Sequence, residues 1–298
     1  MGKSRMPSYG GQALFEGVLM RCSRYLAVAM RDPNGEIVIK TEKLSGIYQS
    51  RLRKIPFLRG LVILWDALGL GTKWLTISTN LHAEKEEDKI EGKSLTLVLI
   101  SSLAISIGLF FLLPAAIGKW IENWLNWSAW GGYAIEGLVR LLILIGYIWG
   151  VGRSKEIARF FGYHGAEHKT INAFEANAEL ETDEVTKFSL QHPRCGTAFM
   201  LTLVVFSIII FSLLGPLPLG WRLVTRVLFV PLLASLAYEY LRWTADHLEN
   251  PFVKLLVIPN LAMQGLTTRE PSPDMIEVAI AAFQAMRSRE LEAENQTS

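Results

Sequence analysis

The sequence predicts a mainly helical, polytopic membrane protein of about four spans, with a small cytoplasmic α+β part containing a β-hairpin and interfacial helices. Three observations predict this. Half of the 298 residues are hydrophobic and the mean hydropathy is +0.27, a composition of the membrane class. Residues 94–118 and 197–220 carry no charged side chain, and either stretch as a helix crosses the hydrocarbon layer. Of the 30 Lys and Arg, only Lys119, Arg140, Arg222 and Arg226 fall outside the segments expected on one side.

That asymmetry sets the orientation. Residues 133–152, interrupted by Glu136 and Arg140, and 223–241, with Arg226 and Glu239 near its ends, complete four spans. The N-terminal region (1–93), the central segment (153–196) and the tail (242–298) then share one side, which their Lys and Arg make cytoplasmic. Trp120, Trp124, Trp127, Trp130 and Tyr133 form an outer aromatic belt, and Tyr238, Tyr240 and Trp243 an inner one. A multi-pass plasma-membrane location with both termini cytoplasmic is expected. Residues 1–9 contain no apolar run, so no cleavable signal peptide is expected and the first span directs insertion.

Along the chain, Gly10-Gly11-Gln12-Ala13-Leu14-Phe15-Glu16-Gly17 lacks the Lys and Ser/Thr of a phosphate-binding loop. It reads as a tight loop that carries Glu16 against the cytoplasmic face. Tyr25–Arg31 and residues 36–40 flank Asp32-Pro33-Asn34-Gly35, the pattern of a β-hairpin that must pack on something to be stable. Residues 57–79 are apolar except for Arg59, Asp66 and Lys73, which recur every seven residues and mark one stripe of an interfacial helix. Residues 82–93 read as a charged linker, and 153–175 as a helix. A short helix at 182–189 precedes the loop His192-Pro193-Arg194-Cys195-Gly196. After the last span come an interfacial stretch, 252–266, and an amphipathic helix, 273–289. Ser272 is its expected cap, Pro273 its first residue, and Ile276, Ile280 and Phe283 lie on one face. No internal repeat is visible, and the whole reads as a single membrane-embedded domain.

The chemistry concentrates in His164-Gly165-Ala166-Glu167-His168. Two imidazoles four apart on a helix lie on one face and can close on one ion, with Glu167 in reach of a bound water. The order matches the H-x-x-E-H motif of inverted zincin metalloproteases, in which two His hold zinc and the Glu acts as general base. A divalent metal, zinc first, is the expected cofactor, with His164, His168, His192, Cys195 and Glu239 as candidate ligands and Glu167 and Glu16 as candidate catalytic carboxylates. Competing readings are a hydrogen-bonded network around the two His and, for His192 and Cys195, a loop that caps a membrane helix. Glu136 and Arg140, four apart at a helix end, read as a snorkelling pair.

Net charge of +2 gives no argument for nucleic acid, so the expected partners are the lipid bilayer and an unidentified cytosolic or membrane protein. Cys22 and Cys195 both fall on the predicted cytoplasmic side, where no disulfide is expected.

Several segments together resemble one family, over nearly the full chain. They are Gly10-Gly11-Gln12-Ala13, Glu16-Gly17-Val18, Met20-Arg21, Arg59-Gly60, Glu136-Gly137, the run from Tyr163 through the His motif to Ile171, His192 to Thr197, Tyr238-Glu239, and Thr267-Thr268-Arg269-Glu270-Pro271. The chain resembles the YqhQ-like membrane proteins of bacteria. The resemblance implies a family of unknown function, described also as predicted metal-dependent enzymes. One departure is Pro259-Asn260-Leu261-Ala262, where Pro-Gly-Leu-Trp is expected. The function expected is a metal-dependent, hydrolase-like membrane enzyme working at the cytoplasmic face. Its rival is a non-catalytic scaffold whose same residues form a structural metal site or a metal-free network.

Overall fold

A computed structural model describes residues 9–44 and 55–296, except for the side chains of Ile63, Asp66 and Ala67. The reading of the first residues as free of a signal peptide falls mostly on 1–8, outside the described residues, as does the side chain of Asp66 in the seven-residue stripe. The chain is mainly helical with one small sheet, as expected.

The sheet holds four antiparallel strands in sequence order: β1 (Gly10–Leu14), β2 (Gly17–Arg21), β3 (Tyr25–Arg31) and β4 (Ile37–Lys43). The β3–β4 hairpin is the one expected, with Arg31 paired to Ile37 across the turn. The Gly-rich segment read as a loop instead forms a second hairpin. Gly11 pairs with Met20 and Leu14 with Gly17, and Glu16 takes φ 50° to make the reversal. Because β-strands alternate their side chains, β3 feeds two cores. Leu26, Val28 and Met30 pack with Leu14, Leu19, Leu70 and Trp74, whereas Ala27 and Ala29 join Val18, Met20, Ile276 and Phe283. A strand buried on both faces has no polar alternation, which is why Leu26-Ala27-Val28-Ala29-Met30 is apolar throughout.

One sheet face rests on α1 (Leu58–Leu81); the other is covered by α5 (Lys155–Glu175) and the terminal helix α11 (Pro273–Asn295). Helix α1 turns Val62, Leu70, Trp74 and Ser78 inward and leaves Trp65 and Leu68 exposed. The helix is thus two-sided, with one apolar side spent on the sheet. At its start, Gly60 lets it cross the later helix α9 (Val230–Asp246) closely, since a Cβ would come 3.0 Å from Tyr238 Cβ. In α11, Ser272 occupies the N-cap position without a side-chain hydrogen bond, and Ile276, Ile280 and Phe283 are buried as expected.

The apolar part differs from four straight spans. Among the described residues, two helices are long and apolar enough to cross a membrane. The first is one continuous run, Glu86–Trp124, made of a 3-10 turn (Glu86–Asp88) and its link, α2 (Gly92–Ile107), a π turn (Gly108–Leu112) and α3 (Leu113–Trp124); the second is α4 (Ala129–Val151). A third counts only if α8 (Leu219–Leu228) and α9, bent by 48°, form one broken span. Pro231 lies in the first turn of α9 and has no N–H to continue α8, which accounts for the break. Helix α7 (Thr197–Leu213) is a shorter apolar helix, ended before Gly215 at φ 70°. Two short elements remain: α6 (Thr182–Val185) and α10 (Pro251–Gln264), which stays helical through Pro259 and Asn260.

Two more expectations are corrected. Trp120, Trp124, Trp127 and Trp130 are exposed as a belt requires, but Tyr133 is buried, its ring against Arg222 and Arg226. Glu136 and Arg140 are likewise not a snorkelling pair: each is 1% exposed, inside a network of charges between helices.

Candidate functional site

Helix α5 carries the His motif, and its neighbours explain the spacing. Ser154 caps its first turn by accepting from Ile157 N, and Glu156 lies where the helix dipole favours an acid. Four residues apart, His164 and His168 stack edge to face with ring centroids 4.4 Å apart. Each ring is fixed from behind by a carbonyl. Thr267 O lies 2.8 Å from His164 Nδ1, and Leu190 O lies 2.5 Å from His168 Nδ1. A carbonyl only accepts, so Nδ1 carries the hydrogen in both rings, and in a neutral ring this leaves Nε2 as the atom with a lone pair.

Those lone pairs meet a sulfur. His164 Nε2 is 3.2 Å from Cys195 Sγ, and one ligand atom from each of His164, His168 and Cys195 lies within 4.8 Å of the others. Cys195 is 7% exposed, in the bend just before α7, where Thr197 N–H donates to Sγ at 3.4 Å. Two imidazoles oriented by carbonyls and one thiol make a donor set that can hold one divalent metal ion.

Gly165 makes this closure possible. A Cβ at this position would clash with Arg269 O and come 2.8 Å from Leu190 Cδ2, so only glycine lets the 267–269 segment run beside α5. Arg269 N donates to Phe161 O at 3.0 Å, which holds that segment in place and aims Thr267 O at His164.

Glu167 points to the other side, toward the sheet. It is 5% exposed, and its pKa is pushed up from 4.5 to about 7 by burial, against the opposing pull of His164 and of a hydrogen bond from Gly11 N–H. Gly11 is what admits it: a Cβ there would sit 2.9 Å from Glu167 Cδ.

The other sequence-predicted residues are placed apart from the trio. His192 is a neighbour, its ring centroid 5.7 Å from that of His168. Its backbone is held by both ends of the Gln264 amide, at 2.9 and 2.8 Å. Its Nε2 is buried without a hydrogen-bond partner, 3.8 Å from Glu175 Oε2, and burial pulls its pKa down. Glu16 is engaged by Arg159, at 2.6 Å from its Nε, and by Tyr163 OH at 3.1 Å; the guanidinium holds its carboxyl below the usual range. Glu239 accepts from Arg59 Nε at 2.7 Å and from Phe57 N at 3.0 Å, which ties α9 to the start of α1. A carboxylate saturated in this way by a guanidinium has little left for a metal, so neither Glu16 nor Glu239 joins the cluster.

Sequence reasoning missed the carbonyls of Thr267 and Leu190, the Gln264 clamp and the role of Gly11. A carbonyl contact leaves no residue-type signal, but Thr267 and Gly11 do lie in segments that carry the family resemblance.

Comparison with known proteins agrees with that resemblance. The family model "Protein of unknown function (DUF1385)" matches residues 55–289. The protein named "Uncharacterized protein YqhQ" of Bacillus subtilis (strain 168) is 33% identical over 312 residues, covering 99% of this chain and 98% of its own. The chain belongs to this family. No solved structure matches it. Membership covers the cluster as well as the helices around it, since His164, His168 and Cys195 all fall within the matched residues.

Proposed function

We propose that the protein is a metal-dependent membrane enzyme, hydrolase-like, with its site at the cytoplasmic face of the bilayer. The observation that carries this reading is the convergence of His164, His168 and Cys195, with both Nδ1 atoms committed to carbonyls. Catalytic zinc sites pair three protein ligands with one open position, whereas structural sites use four. A metal held by His164, His168 and Cys195 would supply a bound water of lowered pKa. Glu167, whose carboxyl faces Gly11 and the sheet, is the group proposed to accept the proton, which requires it to turn toward the His–Cys cluster. The substrate expected at such a location is a peptide or a lipid-linked molecule.

The four-span topology with both termini cytoplasmic belongs to the same proposal. Helix α7, at 17 residues, is at the lower length for a crossing, and α8 with α9 serves as one broken span. The distribution of Lys and Arg supports that orientation.

A second reading is favoured by one observation: the buried, unpartnered Nε2 of His192 beside His168. A small rotation of that ring would supply a fourth donor and close the site, turning it into a structural centre of a scaffold that docks a protein partner. Metal analysis of purified wild type, His164→Ala, His168→Ala and Glu167→Gln tests the proposal. The enzyme reading expects one bound metal in wild type and in Glu167→Gln, none in either His variant, and loss of function in Glu167→Gln. Wild type without stoichiometric metal after supplementation overturns it.

A further inference from the structure

The segment that aims Thr267 O at His164 also forms one wall of a cavity of about 230 Å³ at the end of α4. Leu266, Thr268 and Arg269 line it on that side, and Ile148, Trp149 and Gly152 on the other. Apolar side chains thus share the cavity with a hydroxyl and a guanidinium.

Two cations stand here without a counter-charge. Arg269 donates from Nη2 to Gly152 O at 2.6 Å, and its Nε and Nη1 make no hydrogen bond among the described residues. Arg153, the residue after Gly152, is exposed and lies over the ring of the lining residue Trp149 at 4.3 Å. Among the described residues its guanidinium makes no hydrogen bond, and neither arginine is paired with a carboxylate. An aromatic face attracts a cation without neutralising it. The anion that suits two guanidinium forks is a phosphate, whose oxygens accept their N–H groups in pairs.

The surface leading to the cavity indicates what carries that phosphate. Leu138, Leu142, Ile145 and Trp149 follow one another at helical spacing and are all exposed, so α4 presents an apolar ridge that ends at the cavity. Helix α4 is one of the two helices long and apolar enough to cross a membrane. A hydrocarbon chain laid on this ridge brings a phosphate at its end to Arg153 and Arg269, whereas a free phosphate makes no use of the ridge.

We propose that Arg153 and Arg269 bind the phosphate of a membrane lipid of net negative charge, with an acyl chain lying along Leu138, Leu142, Ile145 and Trp149. Such a site recognises one lipid by paired hydrogen bonds, beyond the general attraction of basic residues to an anionic surface. The inference rests on α4 crossing the bilayer and not on a metal, so its failure and that of the metal reading are separate results.

The test is thermal unfolding of the purified full-length chain in a neutral detergent at constant ionic strength, titrated with phosphatidylglycerol, phosphatidylcholine or inorganic phosphate. Phosphatidylglycerol is expected to raise the midpoint saturably by about 5 °C, and the other two not at all. Arg153→Gln and Arg269→Gln are each expected to raise the half-saturating phosphatidylglycerol concentration about tenfold. Lys254→Gln, which removes an exposed cation on α10 away from the cavity lining, is expected to leave it unchanged. An equal response to phosphatidylcholine or to inorganic phosphate overturns the proposal, as does a loss in Lys254→Gln as large as in the arginine variants. Should Arg269→Gln fail to fold without its bond to Gly152, a wild-type half-saturating concentration in Arg153→Gln alone overturns it.

Discussion

The carboxyl of Glu167 lies against the bare α-carbon of Gly11, so that the acidic residue of the His motif is seated on the first strand of the sheet. A Cβ at Gly11 would come 2.5 Å from Leu19 O as well as 2.9 Å from Glu167 Cδ, and the first of these is backbone that cannot step aside. Gly11→Ala is therefore expected to destabilise the protein by about 1–3 kcal/mol. Gly10→Ala is the control, because nothing lies within 4 Å of its Cβ position. Thermal midpoints of the two variants side by side check this; equal midpoints would remove Gly11 from the account.

Gly165→Ala acts on the site without touching a donor atom. The added methyl would push away Arg269 O and Leu190, and with them the carbonyls that fix the two imidazoles. Loss of such outer support typically lowers metal affinity by about 10–100-fold. A zinc competition titration of the folded variant measures it directly.

The buried carboxyl of Glu167 predicts a pH dependence in metal-free protein. Its folded pKa, about 7, is raised above the ordinary value of 4.5. Its contribution to stability is fully present below about pH 4.5 and is lost as pH rises through 7. Glu167→Gln has no proton to lose there. Relative to wild type it is expected to gain stability from about pH 5 to about pH 8, by on the order of 3 kcal/mol. Parallel melting curves at the two pH values read this, and a difference that does not change with pH would contradict it.

Arg59 and Glu239 join α1 to α9, each with a side chain 17% exposed. Removing one partner strands the other's charge, so Arg59→Met and Glu239→Gln are each expected to cost about 1–3 kcal/mol. The double variant is expected to cost less than the sum. Metal content is expected to be unchanged in Glu239→Gln, and a drop would restore Glu239 as a ligand.

Much of this was legible in the sequence where a local pattern carries the information. The β3–β4 hairpin announces itself by its Pro-Asn-Gly turn, and α11 by Ser272-Pro273 with Ile276, Ile280 and Phe283 on one face. What the pattern could not show depends on chain distant in sequence. Gly10 to Leu14 looks like a loop until β2 pairs with it, and Glu136 with Arg140 looks like a surface pair until Arg222 and Arg226 close over it. Within the site, His164 and His168 follow from helical spacing, and Cys195 was a candidate by side and residue type. Glu16 and Glu239 were candidates on the same ground, and only their partners, Arg159 and Arg59, separate them from the cluster.

The central claim is that His164, His168 and Cys195 hold one metal ion together. Titrating the purified protein with cobalt(II), whose thiolate charge-transfer and tetrahedral d–d bands report its ligands, tests it most directly. Both bands are expected to saturate at about one cobalt per chain, with loss of the charge-transfer band in Cys195→Ser and loss of tight binding in His168→Gln. A wild-type protein that shows no saturable bands, or a Cys195→Ser variant with the wild-type spectrum, would contradict it.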